Sequence, residues 1–315
     1  MSKFKKQHYV PACYLKAWCD PDAPPTQTPY VWVFDKGGSN ARRKAPENIF
    51  HETDMYTIHR ANGDRDLVLE HGLHQLETKF TKIRNNIVKH SKSLDVVEHI
   101  ALCAFVAAAQ ARTPSMREHH RQQWERPLRM MEDMMEWMKT ATPSERQRVA
   151  AVPSLSSNSK GISYEDVKQL YENPTQTLLF PSIQATTPLL CNLDMAFLVT
   201  NDDIGFITSD HPCVWYDPEA YKRHPFYRSP AIGYKTIEIT LPLSPSHCLF
   251  INRQGYAGFI DVNSRVVDDL NRRVRFASQE YFVVHKSIIN NYWFEQDELP
   301  DDSWENTHSQ IEEDD

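Results

Sequence analysis

Glu70, His74 and Glu77 stand at i, i+4 and i+7. At 100° per residue they fall within about 60° of one another on a helix. Hard divalent cations such as Mg or Mn take carboxylate oxygens, and imidazole is compatible, so this stripe reads as half of a metal site. The alternative is a solvated flank carrying an ordinary i,i+4 pair. His8 stands just before an apolar helical segment. Its ring titrates near neutrality, which suits a metal ligand or a general acid/base; it could equally cap the helix or hold the loop. Asp210 closes an apolar run and precedes His211-Pro212. A strand end is a rigid support for a catalytic carboxylate, while the same residues also make Asx turns. The expectation is that His8, Glu70, Glu77 and Asp210 surround one metal ion. His8, Glu77, Asp210 and Arg112 are then the catalytic candidates.

Arg112 and His119 are six residues apart, a spacing that resembles the RxxxxxxH pattern of the HEPN ribonucleases, which act on a scissile phosphate without metal. Pro114 interrupts the helix inside that spacing, and Arg112 also suits a helix C-terminus, where a positive charge is favoured. Lys79, Lys82, Arg84, Arg117 and Arg121 could line a groove that tracks a nucleic-acid backbone, with Trp124 nearby. Met130, Met131, Met134, Met135 and Met138 form a stripe suited to adaptable contacts or to a core. There is no GxxxxGK[ST] or GxGxxG phosphate cradle, no GxSxG elbow, and only 9 glycines in 315 residues.

The elements that would position these groups change in kind along the chain. Residues 7–18 (QHYVPACYLKAW) read as a short helix entered at Pro11, with Tyr14, Leu15 and Trp18 on one face. Strands are expected at 30–34, 42–44 and 54–58, the first two joined by a turn at Lys36-Gly37-Gly38. The seam Leu69, Leu73, Leu76, Phe80, Ile83, Ile87 predicts a helix over 67–90. Residues 94–112 predict a second, buried helix that stops before Pro114. A third helix is expected over 115–139, kinked at Pro127, and another from Ser163 with a capping box. Residues 153–161 read as a linker, and 175–195 as a helix disturbed by two prolines. Strands at 197–200, 205–208, 236–241, 248–251 and 281–285 follow, broken by a helix over 263–277 capped by Asn263. A small β part (1–60), a helical middle (65–195) and a β-rich end (196–294) favour an α+β fold, one domain with a helical bundle against a mixed sheet.

The totals narrow the class. Hydrophobic residues make up 40% and aromatics 11%, enough for a sizeable core. No apolar run approaches the roughly 20 residues that span a bilayer, and no signal core follows the basic first residues, so a cytoplasmic protein is expected. Six scattered cysteines without a CxxC pair indicate buried thiols, neither a disulfide framework nor a thiolate zinc site. Net charge is −7, yet ten acids and no Lys or Arg lie from Glu295 to Asp315. That tail reads as solvated and disordered. It leaves 35 basic against 32 acidic residues, a body near +3.

QHYVPACYLKAW, YVWVFDKG, AQARTP, FITSDHP and LPLSP occur in this order between residues 7 and 245. Together they resemble the family called domain of unknown function 4238 over roughly residues 7–285, with Trp18 where the family often has Phe. The resemblance supplies kinship and no reaction. From the residues, the expected function is a metal-dependent phosphodiesterase or nuclease. A non-catalytic binding or sensor protein and a metal-independent ribonuclease are the alternatives.

Overall fold

The computed structural model describes residues 5–60, 62–150 and 161–295. The tail beyond Glu295 and residues 153–160 of the expected linker lie outside them. The opening motif starts as a strand rather than a helix. β1 (Lys6–His8) pairs antiparallel with β4 (His51–Thr53), placing His8 opposite His51. Only after Pro11 does the chain turn helical, in α1 (Ala12–Leu15) and a 3-10 turn ending at Trp18. Three residues are too few to show a strand period, so spacing reveals the helix entered at Pro11 but not the strand before it.

β2 (Val31–Asp35) and β3 (Arg42–Lys44) pair as expected. The expected strand over 54–58 is instead a turn, with Asp54 at φ 56° and Thr57 N–H bonded to the Asp54 carbonyl. Pairing falls on β4 and on the short ribbon β5 (Ile58–His59) and β6 (Arg65–Asp66).

α2 (Val68–Asn86) buries Leu69, Leu73, Phe80 and Ile83 of its seam. α3 (Val96–Ala111) starts in a capping box formed by Asp95 and Glu98, and nearly all of 101–109 is buried. The stacked rings of Phe80 and Phe105, 3.7 Å between centroids, join α2 to α3. α4 (Pro114–Thr140) leaves α3 at 65°, its start fixed by the Thr113 cap and Pro114. α5 (Pro143–Ala150) follows, then α6 (Tyr164–Glu172) with the capping box between Ser163 and Asp166. α7 (Pro174–Cys191) packs along α3 and absorbs Pro181 and Pro188 within one helix.

The remaining elements are β7 (Asp194–Val199), β8 (Thr208–Ser209), β9 (Val214–Tyr216), β10 (Glu238–Ser244), β11 (His247–Asn252), β12 (Gly258–Asp261), α8 (Ser264–Ala277) and β13 (Tyr281–Val284). Asn263 caps α8 as read from sequence. One sheet has the order β12-β7-β11-β10-β9, antiparallel except that β12 runs parallel to β7. The other, β3-β2-β13-β8, joins strands from both ends of the chain and is antiparallel throughout. Segregated helices and mixed sheets make this an α+β fold. Among the described residues no single helix is long and apolar enough to cross a membrane.

Candidate functional site

Three of the sequence motifs meet at α1. The Tyr14 hydroxyl gives its proton to the Pro242 carbonyl at 2.7 Å and accepts from the Thr208 hydroxyl at 2.7 Å. Trp18 donates to the Phe206 carbonyl at 2.8 Å. The Phe206 N–H in turn bonds the Pro245 carbonyl at 2.7 Å. Arg84, on α2, donates from both terminal nitrogens to the Cys13 and Tyr14 carbonyls, satisfying the open end of α1. The opening segment is thereby anchored to both the β-rich end and the helical middle.

Polar groups from β1, from α2 and from the end of α3 act on one another's charge and define a polar cluster, the hollow. Arg112, the residue that ends α3, is 1% exposed and pairs with Glu77 of α2 at 2.7 Å. Its Nε and Nη2 are buried without a hydrogen-bond partner. Buried donors are almost always satisfied, and an unsatisfied one costs about 1–3 kcal/mol, more when charged. Glu70, two turns before Glu77, has its carboxyl pushed up to about 7 by burial and by the Glu77 charge, with Arg112 opposing. His8 is half-buried, and its Nε2 is buried and unpartnered. Burial keeps this ring neutral, helped by His51 and Arg112, against a bond to the Glu47 backbone. Tyr56 stands fully buried in the field of Arg112, Glu77, Glu70 and Glu52, and burial holds its phenol far above the ordinary range. Gln7 is buried beside His8; its side chain accepts from the Tyr56 N–H and donates to Thr57. Glu52 of β4 pairs with Arg117 through both carboxylate oxygens.

His8, Glu70 and Glu77 each lie within reach of the Arg112 charge. Asp210 does not join them by any hydrogen bond or ion pair among the described residues. Its carboxylate is closed on the N–H groups of Gln279, Glu280 and Tyr281 at 2.8, 2.7 and 2.9 Å. That fixes the corner between β8 and β13. Burial pushes its carboxyl upward against the pull of those donors. Nor do His8, Glu70, Glu77 and Asp210 form the expected metal cluster, since no three of them bring donor atoms within 4.8 Å of one another. Arg112 already supplies the cation beside Glu77. His74 points to solvent; on the helix it lies about 40° further from the hollow than Glu70, while Glu77 lies about 20° the other way. Arg112 and His119 have opposite surroundings, one buried and one exposed against His120. Of the expected basic groove, Arg84 is spent on α1 and Arg117 on Glu52, whereas Lys79 and Lys82 are exposed and Arg121 is half-exposed near Glu118 at 3.5 Å.

A surface cleft of about 990 Å³ is lined by Cys13, Lys16, Arg84, Lys89, His247 and Lys286 among others. Cys13 feels the charges of both Glu77 and Arg112, and so stands between cleft and hollow. Sequence spacing does not single out Tyr56, Glu52 or Gln7. Gln7 opens the motif QHYVPACYLKAW, while Glu52 and Tyr56 lie beside Phe50 and Met55 in a stretch too short to classify.

An α+β framework tied together by these motifs, with a buried Arg–Glu pair, describes the class. The chain belongs to the family described as Protein of unknown function (DUF4238), which it matches over residues 6–287. No curated protein and no solved structure was found to match it.

Proposed function

We propose that the chain is a cytoplasmic hydrolase acting on phosphodiester bonds, with the hollow as its reaction centre. The observation that supports this is the pair of unpartnered nitrogens on buried Arg112, whose charge is felt by a His8 with an Nε2 that also lacks a partner. A phosphate oxyanion is the ligand that would satisfy a guanidinium edge. In this reading Arg112 binds the scissile phosphate through Nε and Nη2 and Glu77 fixes the guanidinium. His8 exchanges the proton, since an imidazole held neutral at pH 7 can act as general base. Glu70, with a carboxyl near 7, is the second proton-exchanging group. Mg or Mn, expected here from sequence, has no part in this reading: no three of His8, Glu70, Glu77 and Asp210 bring donor atoms within 4.8 Å, and a guanidinium already neutralises Glu77. Exposed Lys79 and Lys82, with Arg121, are the residues for a longer nucleic-acid strand. Access to the buried guanidinium needs one wall to move. β1–β4, a ribbon of two three-residue strands, is the wall with least support of its own.

The test is cleavage of bis(p-nitrophenyl) phosphate and of single-stranded RNA and DNA oligonucleotides by purified protein, with and without a chelator. Cleavage that survives chelation and is lost in both Arg112→Lys and His8→Asn is expected. Unchanged cleavage in those variants, or none by the parent on any substrate, overturns the proposal.

A second reading, a non-catalytic binding protein, is supported by a different observation. Met130, Met134, Met135 and Trp137 of α4 are exposed rather than core, so the stripe remains free for contacts.

A further inference from the structure

We propose that His99, Cys103 and Cys191 form a binding site for one Zn2+ ion that pins α3 to the end of α7. His99 and Cys103 are one turn apart on α3, so their side chains share a face. Cys191 is the last residue of α7, the helix packed along α3. The imidazole nitrogen and the two sulfurs lie within 4.8 Å of one another, the set among the described residues with metal-ligand geometry. Zinc bonds of about 2.3 Å to sulfur and about 2.0 Å to nitrogen place tetrahedral ligands a little under 4 Å apart. The three groups therefore need to close by at most about 1 Å. Rotation of His99 and Cys191, both only half-buried, supplies that movement.

The donor chemistry selects the ion. Two thiolates and an imidazole are soft to borderline ligands that suit zinc and not magnesium or calcium. Cys103 is fully buried, and its thiol is pushed far up by burial and by the adjacent Cys191, with which it shares a hydrogen bond. On binding, both S–H protons leave to solvent and two Zn–S bonds form. The thiolate charges balance the ion. Water takes the fourth position from the side where His99 and Cys191 meet solvent. Sequence spacing argues against a thiolate zinc site, because Cys103 and Cys191 are 88 positions apart on two helices and no CxxC marks them. The other chemistry open to this pair is a Cys103–Cys191 disulfide, which would consume two ligands.

The experiment uses the full chain, reduced and stripped of metal with a chelator, and titrates it with Co2+ as the probe. One equivalent is expected to give tetrahedral d–d bands with a thiolate-to-cobalt charge-transfer band. Zn2+ should displace the Co2+ and raise the melting temperature. Cys191→Ser and His99→Ala should each weaken binding by more than about tenfold, at least the loss that outer-shell changes alone produce at metal sites. Cys19→Ser should bind as the parent does. Cys191 is part-exposed at a helix end, so Cys191→Ser should fold, as circular dichroism will verify. No charge-transfer band in protein whose six thiols titrate as free overturns the proposal. So does an unchanged band in Cys191→Ser, and so does a Cys103–Cys191 disulfide that persists under reductant.

Discussion

Replacing Glu70 with Gln should stabilise the protein at neutral pH and leave it unchanged in mild acid. The Glu70 carboxyl rises from an ordinary 4.5 to about 7 because it is buried beside the Glu77 charge. A raised carboxyl keeps its proton in the folded state while the unfolded chain loses it. The native state therefore binds more protons between about 4.5 and 7, and stability falls as pH rises through that window. At 1.36 kcal/mol per unit the full shift corresponds to roughly 3 kcal/mol. Glu70 is partly exposed, so solvent screening reduces this to about 1–2 kcal/mol. Glu70→Gln carries no charge at any pH and escapes the penalty. Urea denaturation at pH 4.5 and pH 8 should show the two chains equal at the lower pH and the variant more stable by about 1–2 kcal/mol at the higher. A melting-temperature gain of roughly 2–6 °C would accompany it. His8, held below its ordinary value by burial, is present in both chains and largely cancels in the difference. Parallel pH curves for the two proteins would refute the placement of Glu70 in a shared buried field with Glu77.

Arg112→Leu should cost about 3 kcal/mol by urea denaturation, because it strands Glu77 without its partner. Asp210→Ala should cost about 2–4 kcal/mol, since three N–H groups lose a charged acceptor; equal stability to the parent would contradict that anchoring role. Gly205→Ala should cost about 2 kcal/mol or more, seen as a lower melting temperature: φ there is +62°, and an added Cβ would meet the Pro245 carbonyl oxygen at 2.1 Å.

Long periodic segments were legible without a structure. The seam of α2, the all-round apolar character of α3 and the Asn263 and Ser163 caps each encode local geometry over several turns. Short strands were not. β9 and β12 carry three and four residues, and the segment at 54–58 has strand-like residues but turns at Asp54. Pairing with distant partners decides such elements, and spacing does not record it. The candidate site was half legible for a related reason. Glu70 and Glu77 share a helix face, so spacing alone brings them together. Asp210 sat in an equally suggestive motif, yet the backbone of Gln279 to Tyr281, some 70 residues on, takes up its carboxylate. FITSDHP, LPLSP and the Tyr14–Trp18 face meet through carbonyls and hydroxyls, which gives those motifs a packing role independent of any reaction.

The charge balance of the hollow separates an anion site from a cation site. Arg112 and Glu77 cancel, His8 is held neutral by burial, and Glu70 is about half-protonated at pH 7. An entering phosphate makes this enclosure negative, which raises the proton affinity of Glu70 and His8, so binding should draw protons in. An entering divalent cation does the reverse and expels the proton from Glu70. Calorimetric titration in two buffers of different ionisation enthalpy reads the number and sign of protons exchanged. Inorganic phosphate should take up a fraction of a proton at pH 7, less in Glu70→Gln, and Mg2+ should release none. Proton release on adding Mg2+ to the parent, absent in Glu70→Gln, would show that the carboxylates and not the guanidinium set the preference of this hollow.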